Sequence, residues 1–483
     1  MHYMKLREID PPMGGKICNN EEIPNHKEIV SGYPFMRGKT RSNKEIDKKL
    51  YQCLLNGEFG IEKESLRVDA KGHLASTAHP EGLSDKISRD FSEGQVEFIS
   101  GVYDNLEDAC DEICDLQCMI EGAILSRPDG GEYIWTYSNP PLFEEEQNIR
   151  IAEFSGEKKE KTTYREYLAE KYGKVKMLFS GVHFNYSMPE TFFELLLKKF
   201  PGQSLSKLKS EWYVKLADVL LSDSWLIVAL TSASPVADPG FLKGLGVPEE
   251  EWESYASFRN SPYGYWNLFL PELSYVDFDS YLNSIDRYIK DGSIWSIQEL
   301  YYPILLKPAG ENSLENLRQN GVNHIELRML DLNPMCCAGV ARRDLAFIHY
   351  LIAFRAAELL HLWENAEELS ERERLMIHRQ AARIHFWEEN PDYQSKALQL
   401  LEDMKHFYMA CEKEGMIFPK DDTFRDRSEG VCYIGIPEGY TIAEVIEFER
   451  QKILNPDRRY ANQIREKYQS DYIAARMQEI FMN

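Results

Sequence analysis

Two short segments of this 483-residue chain alternate strictly between apolar and polar side chains, and that two-residue period constrains the fold more than any other feature. In residues 179–187, Val182, Phe184 and Tyr186 fall on one side and His183, Asn185 and Ser187 on the other. In residues 324–330, Ile325, Leu327 and Met329 oppose His324, Glu326 and Arg328. A β-strand is the conformation that sends every second side chain to the same face. Each segment is therefore predicted to pack one face on a core and turn ionisable groups toward a cleft, as in an antiparallel sheet.

Carboxylates recur at related spacings. In Gly60-Ile-Glu-Lys-Glu-Ser-Leu-Arg-Val68 a strand puts Glu62 and Glu64 on one side, and in Asp90-Phe-Ser-Glu-Gly-Gln-Val-Glu97 a helix stacks Asp90, Glu93 and Glu97 at i, i+3 and i+7. Five carboxylates then share one small volume, with Glu93 at its margin. Like charges that close hold their protons unless cations bind between them, so the pattern predicts a hard divalent-metal site built from oxygen ligands, of the kind phosphoryl chemistry uses. Plainer readings exist for each piece taken alone. Glu62 and Glu64 fit a solvated edge strand beside Lys63, the second stretch fits an exposed helix face, and Glu326 with Arg328 fits a surface ion pair worth under about 1 kcal/mol.

A formal charge of −23 opposes nucleic acid or an anionic membrane as the main partner, because the long-range field repels polyanions. Nine cysteines, odd in number and without a CxxC pair, fit reduced thiols and a cytoplasmic location. No signal-type apolar core opens the chain, and the most apolar helical candidate, residues 345–363, carries His349, Arg355, Glu358 and His361 and fails as a membrane span. Cys110, Cys114 and Cys118 recur every fourth residue on a predicted helix. One helix face cannot supply a tetrahedral metal shell, so they are read as small apolar packing groups, and Cys336-Cys337 as a pair without a nearby partner.

Residues 1–45, punctuated by proline and glycine, read as an N-terminal arm. Within it Gly38-Lys39-Thr40 resembles the end of a phosphate loop, but the glycine spacing is wrong and no apolar strand leads in, which favours a plain loop. Residues 46–340 read as the sheet-bearing body, with helices at 46–55, 106–123, 206–221 and 278–290. Residues 341–483 read as a helical region packed on that body, nearly continuous in helix from 342 to 414. The fold class is α+β rather than a regular βαβ array.

Six motifs occur in one order over more than half of the chain. They are the two acidic stretches above, the second extending to Phe98, then Lys161-Thr-Thr-Tyr-Arg165, Ser180-Gly-Val-His-Phe-Asn185, Glu299-Leu-Tyr301 and Ile325-Glu-Leu-Arg-Met-Leu-Asp-Leu-Asn-Pro334. Together they resemble the bacterial glutamate-cysteine ligases, and also the front domain of bifunctional glutathione synthetases. The resemblance implies a single ligase domain similar to glutamine synthetase, an antiparallel sheet cradle with helices behind it. It also implies ATP-dependent joining of the glutamate γ-carboxylate to the cysteine α-amine through a γ-glutamyl phosphate. The partners implied are glutamate, cysteine and ATP, with two or three Mg²⁺ ions, or Mn²⁺ in their place. Carried onto matching positions, Glu62, Glu64, Asp90, Glu97, His183 and Glu326 are metal ligands, and Arg165 and Arg328 face phosphate. Phe91, Tyr164, Leu168, Arg259, Tyr265 and Tyr301 form the cysteine pocket.

Histidine is a less expected partner for Mg²⁺, so His183 is read either as a ligand or as a hydrogen-bond donor to phosphate. The chain departs from its better-known relatives at Met177, where they place a polar amide, and at Leu305, where they place a basic residue. Two other readings therefore stand beside the first: a related carboxylate-amine ligase with a different acceptor, and a metal-binding scaffold without catalysis.

Overall fold

The computed structural model describes residues 41–127, 131–143, 145–156, 159–200, 202–360, 369–414 and 441–467. Gly38-Lys39-Thr40 and nearly all of the N-terminal arm lie outside them. Seven strands form the sheet: β1 (Glu58–Asp69), β2 (Ile87–Arg89), β3 (Gln95–Ile99), β4 (Glu132–Ile134), β5 (Val182–Ser187), β6 (Ile304–Lys307) and β7 (His324–Leu330). Their order is β2-β3-β1-β5-β7-β6, with β4 also paired to β1, and every pairing is antiparallel.

The period-two reading holds on the central strands. Phe59 and Ile61 of β1, Val182, Phe184 and Tyr186 of β5, and Ile325, Leu327 and Met329 of β7 are all buried in the core. Cross-strand partners share a face, so the register decides which polar groups meet. Glu62 lies opposite His183, Glu64 opposite Glu97, and Asn185 opposite Glu326. Between Val182 and Phe184 the β5–β7 register shifts, so that Arg328 and Met329 both face His183. Bulges of this kind re-aim side chains, and this one sits in the polar face.

The longer helices are α1 (Arg41–Cys53), α2 (Leu106–Leu125), α3 (Lys159–Tyr172), α4 (Leu205–Thr231), α5 (Phe278–Lys290), α6 (Arg342–Leu359), α7 (Glu371–Gln380), α8 (Pro391–Lys413) and α9 (Ile442–Leu454). Helix α2 starts at Asn105, whose side chain accepts from the Asp108 N–H, and it buries Leu106, Ala109, Ile113, Leu116, Ile120 and Ile124 at helical spacing. Helix α4 is buried around most of its circumference and touches β6, β7, α5, α6 and α7, which makes it the central pillar behind the sheet.

Three expectations are corrected. Residues 90–94 form a turn, not a helix, and Glu97 reaches the polar face from β3 through its pairing with Glu64. The near-continuous helix from 342 to 414 is interrupted: a capping box between Ser370 and Glu373 starts α7, and Pro391, which lacks an N–H to donate, starts α8. Residues 41–45 lie within the helix Arg41–Cys53 rather than in the arm. The helical region shares its core with the sheet. His349 of α6 meets the Phe59 ring edge-on at 4.9 Å, and the Tyr408 hydroxyl of α8 donates to the Tyr350 carbonyl at 2.6 Å.

Candidate active site

His183 is the hub of the polar face. Its Nδ1 lies 3.3 Å from Glu62 Oε2 and 3.2 Å from Glu326 Oε1, and its Nε2 lies 3.6 Å from Glu64 Oε1. Asn185 donates to Glu62 Oε1 at 3.0 Å. Glu326 is fully buried and held from its other sides by Arg328 at 3.0 Å and by Lys307 Nζ at 2.7 Å. Glu62, His183 and Glu326 each bring a donor atom within 4.8 Å of the other two.

The carboxyls on this face split into two electrostatic groups. Burial raises the proton affinity of Glu326, but the charges of Lys307 and Arg328 outweigh it and hold the group well below the usual carboxylate range. Burial likewise opposes Glu62, and the hydrogen bond from His183 brings it down. Glu64 and Glu97 go the other way. Burial and the Asp90 charge push Glu64 up to about 7, and burial with Asp90, Glu62 and Glu64 pushes Glu97 up to about 8. Glu64, Asp90 and Glu97 are therefore close enough to repel one another, with less cationic compensation than Glu326 enjoys.

That half of the face has the character of a divalent-cation site: Glu64 and Glu97 face each other and retain protons for want of positive charge, beside a buried His183 Nε2 that makes no hydrogen bond. Of the six predicted ligand positions, Glu62, His183 and Glu326 converge, Glu64 lies beside His183 and opposite Glu97, and Asp90 comes near enough to act on Glu64 and Glu97 through its charge. Glu93 is not at its margin, because its carboxylate is taken up by Arg89 at 3.1 Å and by the His79 N–H at 2.8 Å.

Arg328 pairs with Glu326, and Arg165 approaches the acidic group near Glu97. Arg165, on α3, donates to the backbone carbonyls of Asp90, Arg89 and Lys161 and lies over the Phe154 ring, so its position is fixed by the same turn that carries Asp90. Its charge reaches Glu97.

A second, apolar cluster adjoins the polar face. Phe91, Leu168, Tyr172, Met177 and Tyr301 are buried together, with Tyr164 and Tyr265 partly buried against them. The Tyr301 ring packs on Tyr265 at 4.3 Å and edge-on to Tyr172 at 5.5 Å, and its hydroxyl lies 4.0 Å from Met177 Sδ. Arg259 joins Tyr265, Tyr301 and Arg328 in the lining of a small recess that also takes in Trp266, Tyr302 and His378. It is buried, and donates to the carbonyls of Arg328 and Leu330. Two residues keep it there. Asp331 accepts from Ser257 Oγ and from the Ala233 N–H, pinning the loop that carries Arg259. Gly181 leaves room for the guanidinium, since a Cβ there would stand 2.5 Å from its Cζ.

Several residues of this region escape a reading of the sequence. Glu299 is fully buried and accepts from Lys171, from the Tyr172 hydroxyl at 2.6 Å and from the Trp295 N–H. Asn267 donates to Tyr172 Oη and accepts from the Tyr301 N–H at 3.0 Å. The two fix the rings that wall the recess. Glu299 stands inside the Glu299-Leu-Tyr301 motif and was visible there, but nothing in its local pattern gives it a partner. Lys307 was equally silent, because its contact with Glu326 needs the β6–β7 pairing.

An antiparallel sheet with an acidic face, basic flanks and an adjoining aromatic recess marks the class of ligase to which the family comparison assigns the chain. The family model described as glutamate-cysteine ligase matches residues 44–383, and the chain belongs to that family. It is 32% identical over 435 residues to the glutathione biosynthesis bifunctional protein GshAB of Listeria monocytogenes, covering 87% of this chain and 53% of that protein. It is 36% identical over 322 residues to the protein of the same name from Clostridium perfringens, covering 64% and 41%. The chain thus spans about half the length of the curated relatives it matches.

Two solved structures share the fold. A bifunctional glutathione synthetase from Pasteurella multocida aligns with a TM-score of 0.70 at 24% identity, covering 91% of this chain and 54% of that one. A glutamate-cysteine ligase from Francisella tularensis, solved in complex with AMP, aligns with a TM-score of 0.70 at 21% identity, covering 88% and 89%. Among the described residues no helix is long and apolar enough to cross a membrane.

Proposed function

We propose that this chain phosphorylates the γ-carboxylate of glutamate with ATP and transfers the acyl group to the α-amine of cysteine, giving γ-glutamylcysteine, ADP and phosphate. The observation that carries the reading is the junction of the two clusters: the acidic face around His183 meets the tyrosine-walled recess at Arg259 and Arg328. A carboxylate approaching a triphosphate needs negative charge neutralised on both, and it needs an amine waiting next to the acyl phosphate. The basic groups at the junction and the recess beside it support this reading.

Glu62, Glu64, Asp90, Glu97, Glu326 and His183 are the residues that would hold Mg²⁺ or Mn²⁺. When bound, the ions neutralise the phosphate oxygens of ATP. Arg328, oriented by Glu326, and Arg165, oriented by the Asp90 turn, then place hydrogen-bond donors toward the transferring phosphoryl group. In the recess the Arg259 guanidinium pairs with the acceptor carboxylate, and Tyr164, Tyr265 and Tyr301 enclose its side chain. The amine must shed a proton before attack.

The test is ADP release by the purified chain with ATP, Mg²⁺, glutamate and cysteine, and identification of the dipeptide by mass spectrometry. ADP formation that needs neither amino acid would overturn the reading. A second acceptor has a specific observation behind it: Met177 presents its thioether, not an amide, to the Tyr301 hydroxyl. An apolar wall discriminates weakly between a thiol and a methyl group, so 2-aminobutyrate should also be joined to glutamate.

A further inference from the structure

The cysteines that the sequence reading set aside are brought together behind the sheet. Cys114 lies on α2 between Asp111 and Gln117, and Cys337 lies in the turn that follows β7, which is tied to α2 through those same two residues and comes close enough to raise the proton affinity of the Cys114 thiol. This corrects the expectation that Cys336-Cys337 has no nearby partner. Of the helical column, only Cys110 is a fully buried packing group; Cys114 is half-buried and Cys118 is exposed.

The two segments are held together by these contacts. Lys63 of β1, buried on the face opposite Glu62 and Glu64, donates from Nζ to Gln117 of α2 and to the Cys337 carbonyl at 2.7 Å. Arg342, just beyond the turn, pairs with Asp111 of α2. The turn itself is closed by hydrogen bonds from Asn333 N to Gly339 O and from Gly339 N to Cys336 O. Gly339 has a positive φ of 78°, and a Cβ there would stand 2.7 Å from Leu332. Neither partner can drift far, and both are half-buried rather than sealed, so a small reagent can reach them. A metal reading is not favoured. Among the described residues, the group of metal-type donors that converges within 4.8 Å is Glu62, His183 and Glu326, with no cysteine in it.

We propose that Cys114 and Cys337 form a reversible disulfide by exchange with a low-molecular-weight disulfide. The Cys337 sulfur attacks one sulfur of the reagent. That breaks the reagent's S–S bond, expels one thiol carrying the proton Cys337 loses, and leaves a mixed disulfide on Cys337. Cys114 then gives up its proton and attacks the Cys337 sulfur, releasing the second thiol. Two protein thiols are oxidised and one disulfide is reduced to two thiols. The bond links α2 to the turn after β7, closing a long loop across the back of the strands that carry Glu62, Glu64 and Glu326.

The probe is 2-hydroxyethyl disulfide, which is uncharged and so is not repelled by this acidic chain. The purified chain is equilibrated with it, quenched by alkylation and mapped by peptide mass spectrometry. The expected result is a single peptide pair joined through Cys114 and Cys337, reversed by dithiothreitol, with a higher melting temperature for the oxidised protein. Cys118→Ser should leave the joined pair unchanged, while Cys114→Ser should trap the reagent on Cys337. Wild-type protein that carries the reagent on Cys118 and alkylated Cys114 and Cys337 would overturn the proposal. So would a Cys114–Cys337 link that forms equally well in urea-unfolded chain, since proximity in the fold would then be irrelevant. The wild-type mapping decides the matter even if a variant fails to fold.

Discussion

Glu62 and Gly181 show how differently two residues of one site carry their roles. Glu62 is half-buried, and its oxygens are shared between His183 and Asn185. A glutamine there keeps the shape and removes the charge, so Glu62→Gln should lower kcat by roughly 10²–10³-fold. Its melting temperature should stay within a few degrees of the parent. A variant with parental kcat would remove Glu62 from the catalytic face. Gly181 has no functional group at all, yet its missing Cβ is what admits the Arg259 guanidinium. Gly181→Ala should push Arg259 out of the recess and cost about 10²-fold in kcat/KM for the acceptor amine, the order expected when a binding group is misplaced by about 1 Å. The KM for ATP should change little. An equal loss for all three substrates would mean that the strand, not Arg259, had moved. Glu62 could be nominated from strand period alone; the requirement at Gly181 depends on a residue 78 positions away and leaves no local trace.

At the scale of elements, β1 and β3 together set the pH behaviour. Their pairing puts Glu64 opposite Glu97, and the β2–β3 turn adds Asp90, which with burial raises the two carboxyls to about 7 and about 8. An unfolded chain holds such groups near 4.3, so between about pH 4.5 and 8 the metal-free native state binds more protons than the unfolded state. Its stability therefore falls as pH rises through that window. Mg²⁺ favours the deprotonated carboxylates and offsets the loss. The Mg²⁺-induced rise in melting temperature should accordingly be larger at pH 9 than at pH 6, and equal rises at the two values would refute the cation site. The strand character of β3 was hidden in the sequence. Five residues of alternation in Gln95–Ile99 compete with an i, i+3, i+7 pattern of acids across the turn, and that pattern reads as helix until β1 pairs with the segment.

Across the whole molecule, the boundary drawn near residue 340 separates composition more than it separates packing. Helix α6 lies beyond it, yet α6 packs on α4 and α2, and His349 contacts Phe59 of β1. Leu351 of α6 is completely buried, and Leu351→Ala should destabilise the protein by about 2–5 kcal/mol. We expect calorimetry to show one shifted transition for sheet and helical region together; two separated transitions would mean that the helical region folds by itself. The sequence alone determined the faces: strict alternation told which side of β5 and β7 is core and which is chemistry, because a strand's period is a local property of the backbone. It also determined the order of acidic and basic motifs that marks the family. Only the tertiary structure decided who meets whom across that face and behind it. The pairing of Glu64 with Glu97, the cage of Lys307 and Arg328 around Glu326, the grip of Glu299 on Tyr172 and the tie from Arg342 to Asp111 that brings the Cys337 turn against α2 depend on contacts that a local pattern does not record. Such contacts follow from strand register and helix docking, which the burial of the shared core fixes and no short stretch of sequence records.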